Sequence, residues 1–123
     1  MGNCILTRSY DNQLHLLWTN INPTSNFDAQ TVSVDLSAYN WVWITARIVS
    51  DSDYFTSAYC RVGDSATLVA QRQDGNHMGA LFARLFSVSS TSIIFQCGGT
   101  VATYGMGVNS PEVCIPYQIC GII

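Results

Sequence analysis

The sequence predicts an all-β fold, an antiparallel β-sandwich of jelly-roll type, on three observations. Apolar and polar residues alternate over short runs, the period of strands with one buried face. Groups of Gly, Pro, Asn, Asp and Ser recur roughly every eight to twelve residues and cut the chain into about seven to nine strands. No segment sustains a helical period, and only 81–86 is ambiguous. At 123 residues the chain is one domain, 1–123, with 1–12 as an N-terminal linker or edge strand.

Leu14, Leu16 and Trp18 alternate with Gln13, His15 and Leu17, which gives a short first strand with His15 on its outer face. The following loop, 19–29, carries Asn-Pro and Ser-Asn steps that stop regular structure, and its Phe27 is placed to plug one end of the core. Val32, Val34 and Leu36 then alternate with Thr31, Ser33 and Asp35. After a turn at 37–40, the run 41–49 puts Val42, Ile44, Ala46 and Ile48 on one face and Trp41, Trp43, Thr45 and Arg47 on the other. A large apolar side chain is worth roughly 1.5–3 kcal/mol when buried, so two tryptophans on the second face call for a second covering. A homo-oligomer, taken as a homotrimer, supplies it, with Trp41, Trp43 and Arg47 as interface candidates. On this reading Trp43→Ser weakens association more than folding.

Further strands are expected at 54–62, 66–71, 80–88 and 93–97, with 73–79 as an exposed loop. The stretch 98–112 holds four of the nine glycines and is expected to be irregular. The run 113–123 closes the domain, and its Pro116 implies an edge position or a bulge, because proline removes a ladder donor.

Hydrophobic residues make up 48% of the chain and charged ones only 11%, against roughly 25% in an average soluble domain. Such uncharged surfaces suit proteins packed into assemblies, where few charges need be desolvated. The basic residues, Arg8, Arg47, Arg61, Arg72 and Arg84, are scattered and the net charge is −3, which argues against nucleic-acid binding. No apolar run approaches the length of a spanning helix, so no membrane insertion is expected. Cys4, Cys60, Cys97, Cys114 and Cys120 contain no CxxC pair; they read as free, partly buried thiols, with a disulfide such as Cys60–Cys97 left open.

Catalytic signals are weak. His15 and His77 have no nucleophile and carboxylate placed beside them by any local motif. Asp51 and Asp53 flank Ser52 in a turn without the ligand spacing of a calcium loop. The glycine pairs lack the lysine of a phosphate loop. No metal, cofactor or catalytic residue is therefore assigned. The remaining candidates are amide and aromatic loop residues that suit recognition of a glycan or protein, Asn20, Asn22, Asn76, His77, Tyr104 and Asn109. The bland alternative is that they close the ends of the sandwich.

The run Leu17-Trp18-Thr19-Asn20, Asn22-Pro23-Thr24-Ser25, Phe27, Ala29-Gln30-Thr31-Val32, Asp35-Leu36-Ser37-Ala38-Tyr39 resembles a signature of small β-domains in bacteriophage and prophage tail modules. These lie at the distal ends of tail fibres or baseplate-associated proteins. Arg84-Leu85-Phe86-Ser87-Val88, Ile94-Phe95, and the ending from Cys114-Ile115-Pro116 to Gly121-Ile122 also resemble that pattern, although the first run is the specific one. No shaft sequence precedes it here, which leaves open a free-standing small virion protein or a terminal domain. The resemblance implies a trimeric, non-enzymatic virion component that contacts other tail proteins and a host-surface receptor. It also implies a product made in the bacterial cytoplasm and released by lysis. The alternative is a purely structural virion protein, such as a head spike, decoration protein or fibre cap. A polysaccharide-degrading enzyme is the weakest reading.

Overall fold

The computed structural model describes residues 14–74, 77–102 and 105–123. Among them are ten strands and no helix: β1 (Leu14–Thr19), β2 (Gln30–Ser33), β3 (Trp41–Val49), β4 (Phe55–Arg61), β5 (Ser65–Asp74), β6 (His77–Val88), β7 (Ser92–Phe95), β8 (Gly99–Ala102), β9 (Gly105–Asn109) and β10 (Val113–Ile122). They build two antiparallel sheets. The first has the order β1-β10-β3-β4; the second runs β2-β7-β6-β8-β9, with β5 also paired to β6. One edge of β6 pairs with β5, while the other meets β8 at Leu81–Ala83 and β7 at Phe86–Val88.

The β-sandwich expectation holds: two antiparallel sheets form, with β1 paired to β10 and β2 to β7. The inner strands differ: β3–β4 is a simple hairpin within the first sheet, and β5–β6–β7 is a meander within the second.

The alternation in β3 decides the layers. Val42, Ile44 and Ala46 are fully buried and pack between the sheets with Leu36, Leu68, Phe86, Ile93, Phe95 and Ile119. Trp43 lies on the opposite face, in a second small cluster with Leu14 and Cys120, against which Leu16 and Ile122 pack. It also stacks on Tyr59, its cross-strand neighbour in β4, with ring centroids 6.2 Å apart.

Several expectations are corrected. The glycine-rich stretch is not irregular: its described part includes β8 and β9, because β8 pairs with Leu81–Ala83 of β6 and β9 pairs with β8, backbone partners that local composition does not reveal. The 73–79 loop contracts, since β5 runs to Asp74 and β6 starts at His77. Of the two places expected for Pro116, an edge or a bulge, the structure has the bulge: the strand is central, and the register against β3 shifts between Pro116 and Gln118. His15 is not on the outer face: Leu14 and Leu16 occupy that side, and His15 Nδ1 meets the Tyr39 hydroxyl at 2.9 Å. The Tyr39 ring lies flat over Gly121, where an added Cβ would sit 2.7 Å from ring atoms. Cys60, Cys97 and Cys114 are free, which excludes a Cys60–Cys97 bridge, whereas Cys120 is disulfide-bonded. The expected segment 1–12 lies outside the described residues.

Inside the sandwich, Arg84 takes a place that the period of β6 reserves for apolar residues. It is 1% exposed, between Phe82 and Phe86 on the inward face. Its Nε donates to the Cys114 carbonyl at 2.9 Å and its Nη1 to that of Gln96 at 2.7 Å. Its Nη2 donates to Val113 at 3.0 Å and Pro111 at 3.3 Å. The guanidinium lies over the Phe27 ring, 5.3 Å from its centroid. Burial pulls Arg84 below its usual value, and nearby Cys97, Cys114 and Asp28 push back. A buried charge must be hydrogen-bonded to be tolerated, and here main-chain oxygens do that work. The break between β7 and β8 turns the Gln96 carbonyl toward this group. Beside it, Gly98 is packed so closely that a Cβ would stand 2.6 Å from the Ser110 and Val113 carbonyl oxygens.

Candidate functional site

One end of the sandwich gathers the β1–β2 loop and the β3–β4 turn, and both are tied to the start of β10. Asn20 N donates to Tyr117 O at 2.8 Å, Phe27 N to Pro111 O at 2.9 Å and Ser50 N to Glu112 O at 2.9 Å. Gln71, near the end of β5, also lies at this end, beside Tyr54 and Phe55.

A groove of about 760 Å³ opens here and is lined by Ile48, Asp51, Ser52, Asp53, Tyr54, Phe55 and Gln71. Its wall is a rigid turn. Ser52 is buried, its N–H donates to Val49 O at 3.1 Å, and its Oγ accepts from Tyr54 N at 3.0 Å. Ile48 N donates to Tyr54 O at 3.0 Å, which closes the turn onto β3. Arg47 clasps it from the outer face, donating to the Ser52 carbonyl and lying 3.4 Å from the Asp53 carboxylate. The same guanidinium sits over Phe55, 5.3 Å from the ring centroid, and Phe55 packs on Tyr117. The turn thus holds Tyr54 outward, with 75% of its surface exposed.

An exposed ring beside two carboxylates and a primary amide is a chemically specific combination. The ring face takes apolar C–H surface, while the carboxylates and the Gln71 amide meet hydroxyl groups. Neutral sugars present both kinds of surface. Among the described residues no three His, Cys, Asp or Glu side chains converge to hold a metal.

A second, shallower groove of about 410 Å³ is lined by Trp18, Asn20, Asn22, Ser25, Phe27 and Gln30, among others. Two sequence candidates lie in it, but Asn20 is committed to the fold. Its Nδ2 donates to Pro116 O at 2.9 Å, and its Oδ1 accepts from Asn22 N at 2.8 Å. His77 is the first residue of β6, and Asn109, exposed, ends β9 opposite Gly99. Asn76 and Tyr104 lie outside the described residues. The six candidates therefore do not assemble into one described patch. The residues that do assemble, Tyr54, Phe55 and Gln71, lie outside that candidate set, and Asp51 and Asp53 join them from a turn. The available signal was the pair of adjacent aromatics directly after an acidic turn.

The interface candidates separate too. Trp41 is 42% exposed, whereas Trp43 is 6% exposed in the single chain and Arg47 is engaged with the turn. Comparison with protein-family models, with curated proteins and with solved structures finds no match for this chain, so the groove is interpreted by its own chemistry.

Proposed function

We propose that this chain is a bacteriophage virion component, a tail-fibre or tail-tip β-domain that recognises a host-surface glycan through the groove at Tyr54. The resemblance in 17–39 supplies the setting. The exposed Tyr54 ring beside Asp51, Asp53 and Gln71 is the observation that carries the binding chemistry. On this reading the protein binds and does not catalyse, assembles as a homotrimer, works alongside other tail proteins and leaves the cell at lysis.

An array of bacterial surface glycans probed with the purified protein tests it, together with adsorption to intact cells. Binding is expected on at least one surface polysaccharide, and Tyr54→Ala abolishes it without changing the fold. Cell adsorption without any glycan signal would move the receptor to a protein. Absence of both favours the second reading, a purely structural virion protein, which the open uncharged face of the second sheet also suits.

A further inference from the structure

The two grooves at this end of the sandwich differ in charge. The one at Tyr54 is lined by two carboxylates, those of Asp51 and Asp53. No charged residue lines the other, of about 410 Å³, whose walls include Trp18, Phe27, Asn22, Ser25, Asn26 and Gln30. Its frame is fixed by the fold. Phe27 is buried, in a T-shaped contact with Trp18 at 6.3 Å and beneath the Arg84 guanidinium at 5.3 Å. Ser25 N donates to Asn22 O at 3.1 Å, and Asn20 ties the loop to β10 through Pro116 O and Tyr117 O. The carboxamides on this frame are largely unspent. Among the described residues the Asn22 and Asn26 side chains make no hydrogen bond, and Gln30 spends one N–H, on Asp28 O at 3.1 Å.

We propose that this second groove is a subsite for a neutral acetamido sugar, of the N-acetylglucosamine or N-acetylgalactosamine type. The inference rests on the reading that the protein binds glycans, and it names one sugar class that the glycan carries. Tyr117 sets the subsite beside the first groove: its ring packs on Phe55 and its carbonyl accepts from Asn20 N. Three features select the ligand. An acetamido group carries one N–H and one carbonyl, and a carboxamide answers both, with a carbonyl and N–H groups of its own. Its methyl needs apolar surface, which the Trp18 ring and Ile21, 87% exposed at the rim, supply. No cation lines the groove to meet a phosphate or uronate and no acid to hold an amine, so a charged sugar would lose water without a partner. A peptide carries the same amide, but on a long repeating main chain that docks along a sheet edge or an extended groove. A groove of about 410 Å³ has the size of a site for a compact ligand.

Nuclear magnetic resonance titration of the full chain tests it, following the side-chain amides of Asn22, Asn26 and Gln30 and the Trp18 indole N–H. The ligands are the methyl glycosides of N-acetylglucosamine and N-acetylgalactosamine, with methyl glucoside, methyl glucosaminide and a blocked glycine dipeptide as controls. At least one acetamido sugar is expected to shift these signals, about tenfold tighter than any control, and the Asn22→Ala, Asn26→Ala double variant to weaken it about tenfold with the backbone spectrum elsewhere unchanged. Equal binding of the glucoside overturns the assignment, as does a response to the dipeptide alone or to none of the ligands. Shifts confined to Tyr54 and Gln71 also overturn it, and leave glycan recognition at the first groove standing. Shifts at the amides with Tyr54 and Gln71 silent support this subsite and count against the Tyr54 groove.

Discussion

Arg84 and Arg47 make the same kind of contact in two settings. Each guanidinium sits over a phenylalanine ring at 5.3 Å, and each donates to main-chain carbonyls. Arg84 is closed off from water and satisfied by the carbonyls of Gln96, Pro111, Val113 and Cys114, so it locks β6 of the second sheet to the start of β10 in the first. Arg47 has one carbonyl and an exposed carboxylate, and it steadies the turn that displays Tyr54. Burial turns one motif into a fold determinant, while partial exposure leaves the other for a local, functional task.

Removing the interior member should be the larger effect. Arg84→Met leaves four carbonyls short of a donor and is expected to cost about 3–5 kcal/mol, or ~10–20 °C in melting temperature. Arg84→Lys should recover only part of that, because a single ammonium cannot reproduce the planar fork. Melting within a few degrees of wild type would show that the carbonyls find other partners.

Cys114 offers a second reading of the same region. Burial pushes its thiol up to about 11 from an ordinary 9.0, although the Arg84 charge opposes the rise. The folded state therefore favours the neutral thiol. Its contribution is fully present below about pH 9 and is lost as pH rises toward 11, on the order of 2–3 kcal/mol. A Cys114→Ala variant should have a flatter alkaline limb in a stability-against-pH scan; an unchanged limb would assign the loss to other groups.

The outer member should barely affect stability. Arg47→Ala is expected to cost about 1 kcal/mol, since it breaks one carbonyl bond, one ring contact and a solvent-facing ion pair. Asp53→Asn, at the fully exposed end of that pair, should leave melting unchanged in calorimetry. A large loss from either would place the turn within the cooperative core.

Trp43 shows how far local pattern reaches. The two faces of β3 were legible in its alternation, and Val42, Ile44 and Ala46 are buried as expected. What covers the second face was not legible, because Leu14 and Cys120 reach Trp43 only through the pairing of β1 with β10 and of β10 with β3. Trp43→Ser is accordingly expected to destabilise the chain itself, by about 2–4 kcal/mol in denaturant unfolding. The same limit hid β8 and β9, because β8 finds its ladder partner in β6 and β9 pairs with β8. Arg84 read only as one of five scattered arginines, because its carbonyl partners lie on distant segments, at Gln96 and 111–114. The groove at Tyr54 was hidden for that reason as well: Gln71 joins it from another strand.

The most direct test of the account is calorimetric titration of a bound surface polysaccharide against wild type and Arg47→Ala. The account predicts about tenfold weaker binding by Arg47→Ala, because the turn that presents Tyr54 loses its clasp while the fold keeps its Arg84 lock. Equal affinity for the two proteins, at equal folded fractions, would contradict it.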